Sequence, residues 1–341
     1  MKTIRWLTVW AALAVGVPFA QAQSNLTYTG EVLLDPPKEA WSYPSKALPV
    51  GDRVRVAFYN IENFTDGEGD GPDRTEERIQ AQARGAAELI DEMDADVLIL
   101  SEVENVAAIK ILNRALAKPY PFGWISAYGA EDWKNQKMNE AVLSRFPATE
   151  LMELDFGHLA GSGRPTRGIL RAGFDLGDGH ELVVYGAHLK SNYGYRPRNI
   201  SQRNNAMQIM AKDARALQKK SAGKVELLLL GDTNVDPEAP EFAGDWSMDP
   251  IRSWADLWRG KPLHERTTIP TRYGDSAKEF PPASFDRIYA GGDATVTPWV
   301  VGAPGVLQRG VNTKNVNALP GEDGHISDHF PVWVDLHRES P

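Results

Sequence analysis

The sequence contains a series of short, uninterrupted apolar runs, and these constrain its fold more than any other feature. The clearest is Leu227-Leu228-Leu229-Leu230, which has no polar residue to face solvent. Runs of about four to eight aliphatic or β-branched residues between turn-forming residues are typical of strands buried on both faces. Such strands are predicted at 54–59, 97–100, 141–144, 168–174, 182–185, 225–230, 285–290 and 332–336.

Two other segments have apolar residues at helical spacing, and we interpret both as packing helices without a chemical role. Sheets buried on both faces need helices to cover them, so the sequence indicates an α/β layered architecture. The apolar positions are Ile79, Ala83, Ala86, Ile90 and Met93 in the first segment, and Met207, Met210, Ala214 and Leu217 in the second.

The 341 residues divide into three predicted regions. Residues 1–22 have the pattern of a signal peptide, with an early positive charge, an apolar run and Ala20-Gln21-Ala22 as the cleavage site. The run from Trp6 to Val17 is shorter than the ~20 residues of a membrane helix, so an anchor is the less favoured alternative. Residues 23–50 are polar and proline-containing, which predicts an irregular N-terminal extension. Residues 51–341 are predicted to form one domain.

These regions set the expected location and partners of the protein. We expect export to the periplasm or beyond the cell, without stable membrane insertion or an obligate protein partner. The absence of cysteine excludes disulfides, thiolate zinc sites and cysteine nucleophiles. The net charge of −9 is unlike that of proteins that coat nucleic acid, but a nuclease cleft needs only local positive charge and metal ions.

Polar side chains stand at the ends of the predicted strands. Because strands of a mixed sheet run in both directions, residues that follow one strand and precede another can share a rim. Crowded acids beside histidines favour a hard divalent cation with oxygen ligands, and this combination suits metal-assisted phosphoester hydrolysis. The residues after strands are Asn60, Glu102, His188, Asp232 and Asn234, and those before strands are Asp286, Asp328 and His329.

Each of these residues alone has a simpler interpretation. An aspartate after a strand is more often a turn residue or a helix cap. A lone histidine is more often a hydrogen-bonded structural residue, and we keep that interpretation for the remaining histidines. The ordered set, rather than any one member, indicates function. The histidines interpreted as structural are His158, His180, His264, His325 and His337.

Seven short blocks lie at or beside these strand ends. They are Tyr59-Asn60-Ile61-Glu62-Asn63, Leu100-Ser101-Glu102, Leu143-Ser144-Arg145-Phe146-Pro147, Gly186-Ala187-His188-Leu189, Gly231-Asp232-Thr233-Asn234, Ser284-Phe285-Asp286-Arg287-Ile288 and Ser327-Asp328-His329-Phe330-Pro331. Their order resembles the endonuclease/exonuclease/phosphatase superfamily, over about residues 53–337. The resemblance implies a DNase I-like four-layer α/β sandwich, with two mixed β-sheets packed face to face and flanked by helices.

The resemblance also implies a metal-dependent phosphoric ester hydrolase, and it assigns the metal ligands. Glu102 would be the main ligand, with Asn60 beside it and Asp328 in or next to the metal site. The expected cofactor is Mg²⁺ or Mn²⁺, and Ca²⁺ is an alternative.

The remaining roles concern water and phosphate. Asp232 would orient or deprotonate the attacking water, and Asn234 would hold the water or the phosphate. His329, oriented by Asp286, would contact the scissile phosphate, and His188 would contact a phosphate oxygen and help the leaving group.

The substrate is less constrained than the chemistry. The segment 164–203 is locally +4, from seven basic and three acidic residues, and it brackets His188. Within it, Arg167 and Arg203 match positions where superfamily members often carry a cleft arginine for phosphate, although a solvated basic face explains the charge equally well. The opening Asn60-Ile61-Glu62-Asn63-Phe64 resembles the form found in exported bacterial nucleases of this superfamily, and with the predicted export it favours a nuclease. A phosphatase or phosphodiesterase for small or lipid phosphoesters is the alternative, and a catalytically inactive binding domain is disfavoured because every acid is present.

The sequence departs from the superfamily pattern in two blocks. Asn139-Glu140-Ala141 stands where a glycine is usual, and Thr233 stands where a bulky aromatic residue is common. Neither departure removes a catalytic atom, so both bear on the shape of the cleft.

Overall fold

The computed structural model describes residues 28–68, 74–126, 139–274, 281–292 and 297–339, and the predicted signal peptide lies outside these ranges. The described residues form fourteen strands and four α-helices. The strands are β1 Leu33–Asp35, β2 Lys38–Ser42, β3 Arg53–Phe64, β4 Val97–Val103, β5 Phe122–Ile125, β6 Asn139–Ser144, β7 Glu150–Asp155, β8 Ile169–Gly177, β9 His180–His188, β10 Val225–Asp232, β11 Ala255–Asp256, β12 Asp286–Gly291, β13 Trp299–Val306 and β14 Val332–Arg338. The helices are α1 Glu76–Met93, α2 Val106–Ala115, α3 Arg196–Lys220 and α4 Leu263–Arg266.

The strands form two mixed seven-stranded sheets. The first has the order β1-β7-β8-β9-β10-β12-β11, and the second has the order β13-β14-β3-β4-β6-β5-β2. A core of side chains from both sheets fills the space between them, α3 packs on the outer face of the first, and α1 and α2 pack on the outer face of the second. The predicted four-layer α/β sandwich is therefore confirmed.

Alternation along the strands explains the layers. In β3, Val56 and Phe58 face the other sheet, while Ala57 and Tyr59 face α1. Both faces of a central strand are thus buried, which is why its sequence is continuously apolar. The helix α1 begins after Thr75, whose side chain accepts the N–H of Arg78 as an N-cap.

All eight predicted strands and both predicted helices are present; most extend beyond the predicted bounds, and β12 has the predicted length but is shifted by one residue. The irregular extension predicted at 23–50 is wrong for its described part. The strands β1 and β2 lie there, and each pairs with an edge of one sheet, β1 with β7 and β2 with β5. These strands were missed because an edge strand is short and half-exposed, so it lacks the continuous apolar pattern. Within the described residues, none of the helices has the length and apolar character needed to cross a membrane.

Candidate active site

The sheet topology brings the predicted residues to one rim of the sandwich. The strands β9 and β10 are parallel, and their register places His188 beside Asp232. The strand β12 is antiparallel to β10, so its first residue, Asp286, also lies beside Asp232. In the second sheet, the parallel strands β3 and β4 pair Asn60 with Ser101, the residue directly before Glu102. The structure therefore confirms that residues after and before strands converge.

The backbone at this rim is constrained. A Cβ atom at Gly231 would lie 2.0 Å from the carbonyl oxygen of Ala187, so glycine permits the close approach of β10 to β9. Glu102 and Asn234 have left-handed φ angles of 62° and 54°. Such conformations cost a non-glycine residue about 1–3 kcal/mol and cluster at functional sites, where they aim a side chain.

The buried Asp232 carboxylate is the centre of the site. Its Oδ1 accepts the backbone N–H of Asn234 at 3.0 Å. Its Oδ2 lies 3.4 Å from the Asn60 amide nitrogen, 3.4 Å from His188 Nε2 and 4.0 Å from His329 Nε2. Burial raises the pKa of Asp232 to about 7, against the opposing charge of His329. Asp232 is therefore poised to exchange a proton near neutral pH.

His329 and Asp286 form a buried pair beside Asp232. The Nδ1 of His329 donates to both carboxylate oxygens of Asp286, at 2.8 and 3.1 Å. Burial alone would lower the pKa of His329, but the charges of Asp286, Asp328 and Asp232 raise it well above its usual range. The ring is thus held as a cation, with Nε2 turned towards the cleft.

His188 has the opposite charge state. Burial, together with the charge of Arg167, holds the pKa of His188 well below its usual range, so the ring is neutral. Its Nε2 contacts the Arg167 guanidinium and lies 3.7 Å from a carboxylate oxygen of Glu102. Arg167 also donates to the carbonyl of Leu189 at 3.1 Å. The structure thus places Arg167 at the site, as the sequence predicted.

The other predicted residues complete the rim. Asn234 donates from its amide nitrogen to the carbonyl of Leu189 at 3.1 Å, which holds its side chain against β9. Asp328 keeps 40% of its side chain exposed, and its Oδ1 lies 3.8 Å from His329 Nε2. It is the most open of the site acids and lines an adjoining cavity.

Comparison with known proteins agrees with this arrangement. The model of the Endonuclease/Exonuclease/phosphatase family matches residues 57–329. The chain belongs to this family. It is accordingly a phosphoric ester hydrolase, and members of the family are metal-dependent nucleases and phosphatases. A comparison with curated proteins gave no match.

Solved structures of family members have the same fold. A member from Beutenbergia cavernae is 19% identical with a TM-score of 0.57, and the match covers 84% of this chain and 72% of that chain. One from Bacteroides thetaiotaomicron is 18% identical with a TM-score of 0.55, covering 85% and 99%. D. rerio TDP2, solved with a single-strand DNA product, is 18% identical with a TM-score of 0.54, covering 84% and 99%. At these identities the likeness concerns the fold alone.

One residue predicted from the family pattern is not available to substrate. Arg203 is buried, and its guanidinium donates to Ser247 Oγ, the Lys190 carbonyl, Asn192 Oδ1 and Asp245 Oδ2 at 2.9–3.1 Å. The prediction that Arg203 binds substrate phosphate is therefore wrong for this arrangement. Its charge is paired internally, and it holds the loop after β9 in place.

One residue at the site, Glu62, was missed from the sequence. Glu62 Oε2 lies 2.8 Å from Nε2 of the buried His325. Burial and the charge of Glu102 raise the pKa of Glu62 to about 7, and burial lowers the pKa of His325 to about 4, so burial favours the neutral form of each. His325 was correctly interpreted as hydrogen-bonded. Glu62 stands in the same block as Asn60, and that block was the available signal.

Glu140 holds the backbone of the strand that carries His188. It is buried, and its carboxylate accepts the backbone N–H of Leu170 at 3.0 Å and that of His188. Burial raises its pKa well above the usual range. The departure from glycine noted in the sequence therefore adds a bridge from β6 to β8 and β9, which positions His188.

The donor set fits a hard cation. Burial raises the pKa of Glu102, and the charge of Asp328 raises it further, a repulsion that a cation would relieve. No three His, Asp or Glu side chains in the described ranges form a complete metal cluster. Mg²⁺ commonly takes one or two protein carboxylates and completes its shell with water and phosphate oxygens, so the oxygen ligands of Glu102 and Asp328 are chemically suited to such an ion.

Asn60 fits the predicted metal site less directly. Its amide nitrogen, rather than its oxygen, faces Glu102 at 3.2 Å, while the oxygen accepts the backbone N–H of Glu62 at 3.1 Å. To bind a cation beside Glu102, the amide would rotate and give up the bond from Glu62.

Proposed function

We propose that the protein is an exported, divalent-metal-dependent nuclease that hydrolyses phosphodiester bonds of nucleic acid. The observation that carries the chemistry is the buried Asp232, which lies between a neutral His188 and a cationic His329. A proton acceptor beside a fixed cation is what attack of water on a phosphoester requires.

In this mechanism Asp232 takes the proton of the attacking water, because its raised pKa suits proton transfer near neutral pH. The Nε2–H of His329 donates to a phosphate oxygen as negative charge develops there. Asp286 keeps that ring charged and oriented. Asn234 would hold the water or the phosphate, and the neutral His188, which contacts Arg167, would assist the leaving oxygen.

The divalent ion, held by Glu102 with Asp328, would neutralise charge on the phosphate oxygens and on the leaving group. Mg²⁺ is the first candidate and Mn²⁺ the second, because both prefer oxygen ligands, and Ca²⁺ is an alternative.

Nucleic acid is favoured over small phosphoesters by the charge around the site. The chain is acidic overall, yet Arg167 and Lys190 lie beside the catalytic residues, and burial together with the charge of Arg167 lowers the pKa of Lys190 to about 8. Local positive charge supplies most of the affinity for a phosphate backbone. The alternative is a phosphatase or phosphodiesterase for small-molecule or lipid phosphoesters.

The test compares three substrates with residues 23–341 in Mg²⁺, Mn²⁺, Ca²⁺ or EDTA. The substrates are supercoiled plasmid, bis-p-nitrophenyl phosphate and p-nitrophenyl phosphate. Metal-dependent plasmid cleavage that disappears in Asp232→Ala is the expected result. The matched control is Asp335→Ala, which removes an acid paired with Arg55 outside the site and should keep activity.

Two other outcomes contradict the proposal in different ways. An intact plasmid with turnover of a p-nitrophenyl ester moves the assignment to a phosphatase or phosphodiesterase. Tight phosphate binding without turnover in any metal indicates an inactive binding domain.

Export is tested separately by expressing the full chain in a bacterium and locating it. We expect periplasmic or extracellular protein that begins at Gln23, measured by intact mass. Cytoplasmic protein that keeps residues 1–22 would refute export.

A further inference from the structure

The loop after β9 exposes two aromatic rings beside the active site. Tyr193 and Tyr195 are 84% and 73% exposed, whereas the other exposed tyrosines in the described ranges, Tyr43 and Tyr273, are 51% and 54% exposed. Residues 190–195 are called the tyrosine loop below. Two rings this open gain nothing from burial within the chain, so their apolar faces are available to a ligand.

The tyrosine loop is held in place. The Asn192 amide nitrogen donates to the carbonyl of Asn234 at 2.8 Å, which ties the loop directly to a catalytic residue. The buried Arg203 donates to the Lys190 carbonyl and to Asn192 Oδ1. A loop fixed by a buried arginine presents its rings without a large ordering cost on binding. Arg203 is therefore a positioning residue for this surface.

Cations flank the two rings. Lys190 begins the loop, and Arg196 and Arg198 follow it in the first turn of α3. Among the residues that the structure describes, no carboxylate forms an ion pair with any of these three. The Lys190 ammonium donates instead to Ser191 Oγ at 2.9 Å and to the Tyr193 carbonyl at 3.2 Å. The positive charge is thus left for an external anion in a chain with a net charge of −9.

The loop also forms one wall of an apolar cavity of about 610 Å³ that reaches the catalytic rim. Asn192 and Arg196 line it on the loop side, Phe285 and Val316 line it on the other, and Asp328 lies at its catalytic end. Through Asn192 and Arg196, the tyrosine loop and its cations therefore adjoin a cavity that extends to Asp328 at the catalytic rim.

We propose that this surface binds single-stranded nucleic acid, with unpaired bases stacked on Tyr193 and Tyr195 and entering the adjoining cavity. Backbone phosphates pair with Lys190, Arg196 and Arg198. Aromatic platforms between cations are a general means of holding single strands, because every base has a π-face. A duplex hides those faces, so the enzyme prefers unpaired strands. The inference rests on the proposed nuclease function and specifies its substrate.

The test measures cleavage by wild type and by Tyr193→Ala/Tyr195→Ala on a mixed-sequence DNA strand, on its duplex, and on an abasic strand of equal length. Wild type should prefer the single strand. The double variant should raise KM for that strand by about tenfold or more, since stacking on each ring is lost, with kcat little changed. The abasic strand has no bases to stack, so its KM should hardly distinguish the two proteins.

Tyr43→Ala is the matched control. Tyr43 is exposed, and the Lys46 ammonium lies over its ring at 5.3 Å. It directly follows β2, at the far end of the second sheet from Glu102. This variant should cleave the single strand as wild type does. Thermal unfolding of every variant should match wild type, because the changed rings are exposed.

Binding separates failure of this inference from failure of the proposed function. Fluorescence anisotropy with a labelled strand in EDTA reports affinity without turnover, and wild type should bind at least about tenfold more tightly than the double variant. Equal affinity, or equal KM in an active enzyme, overturns the inference and leaves the nuclease function standing. Wild type that cleaves no nucleic acid refutes the proposed function instead. Tyrosine-dependent binding of anionic phospholipid vesicles but not of the strand would also overturn the inference.

Discussion

Asp286→Asn tests how the charge of a buried carboxylate supports catalysis. Asparagine keeps the shape of the side chain and one acceptor for His329 Nδ1, but it removes the charge and one of the two accepting oxygens. A hydrogen bond to a charged group contributes about 1.5–3 kcal/mol, against about 1 kcal/mol for a neutral bond. The difference is about 0.5–2 kcal/mol, and because each 1.4 kcal/mol corresponds to about a tenfold change in rate, kcat/KM should fall by roughly 2- to 30-fold.

Steady-state kinetics on bis-p-nitrophenyl phosphate and on DNA, at saturating metal, measure this effect. The loss should appear mainly in kcat, since His329 acts on charge that develops in the transition state. The control is Asp335→Asn, which weakens an ion pair with Arg55 further along β14 and should leave kcat unchanged. A folded Asp286→Asn enzyme with wild-type kcat would refute the role assigned to the pair.

The same variant predicts a change in pH dependence. In wild type, the neighbouring carboxylates outweigh burial and raise the pKa of His329, so the ring keeps its proton through neutral pH. Removing the charge of Asp286 lowers that pKa, so the ring loses its proton at a lower pH. The alkaline limb of the kcat/KM profile should therefore move to lower pH. An alkaline limb that does not move would show that the protonation of His329 does not control the rate.

The remaining predictions concern the metal and the buried arginine. Glu102→Ala should raise the Mg²⁺ or Mn²⁺ concentration needed for half-maximal activity, measured by titrating EDTA-treated enzyme, and an unchanged requirement would remove Glu102 from the metal site. Arg203→Met leaves Asp245 buried without its ion-pair partner, which should lower the free energy of unfolding by about 3–5 kcal/mol in a urea titration. An unchanged urea midpoint would contradict the structural role of Arg203.

The sequence by itself determined the layers and most of the catalytic set. Continuous apolar runs such as Leu227–Leu230 have no polar face, so they must be central strands covered on both sides. Strand direction then leaves few arrangements for polar residues at strand ends, which is why the sequence alone predicts that Asp232, His188 and Asp286 share one rim. Their chemistry follows from residue type, because carboxylates and imidazoles carry the same functional groups in any fold.

Tertiary structure alone decided which charged groups contact the catalytic residues. The sequence predicts the same phosphate-binding role for Arg167 and Arg203. In the structure, Arg167 contacts His188, whereas Arg203 forms a buried ion pair with Asp245. Burial and the nearest charges set the protonation of each histidine, so His188 is neutral and His329 is cationic although their intrinsic pKa values are the same. These properties depend on distances between residues far apart in the chain, and no local pattern encodes such distances.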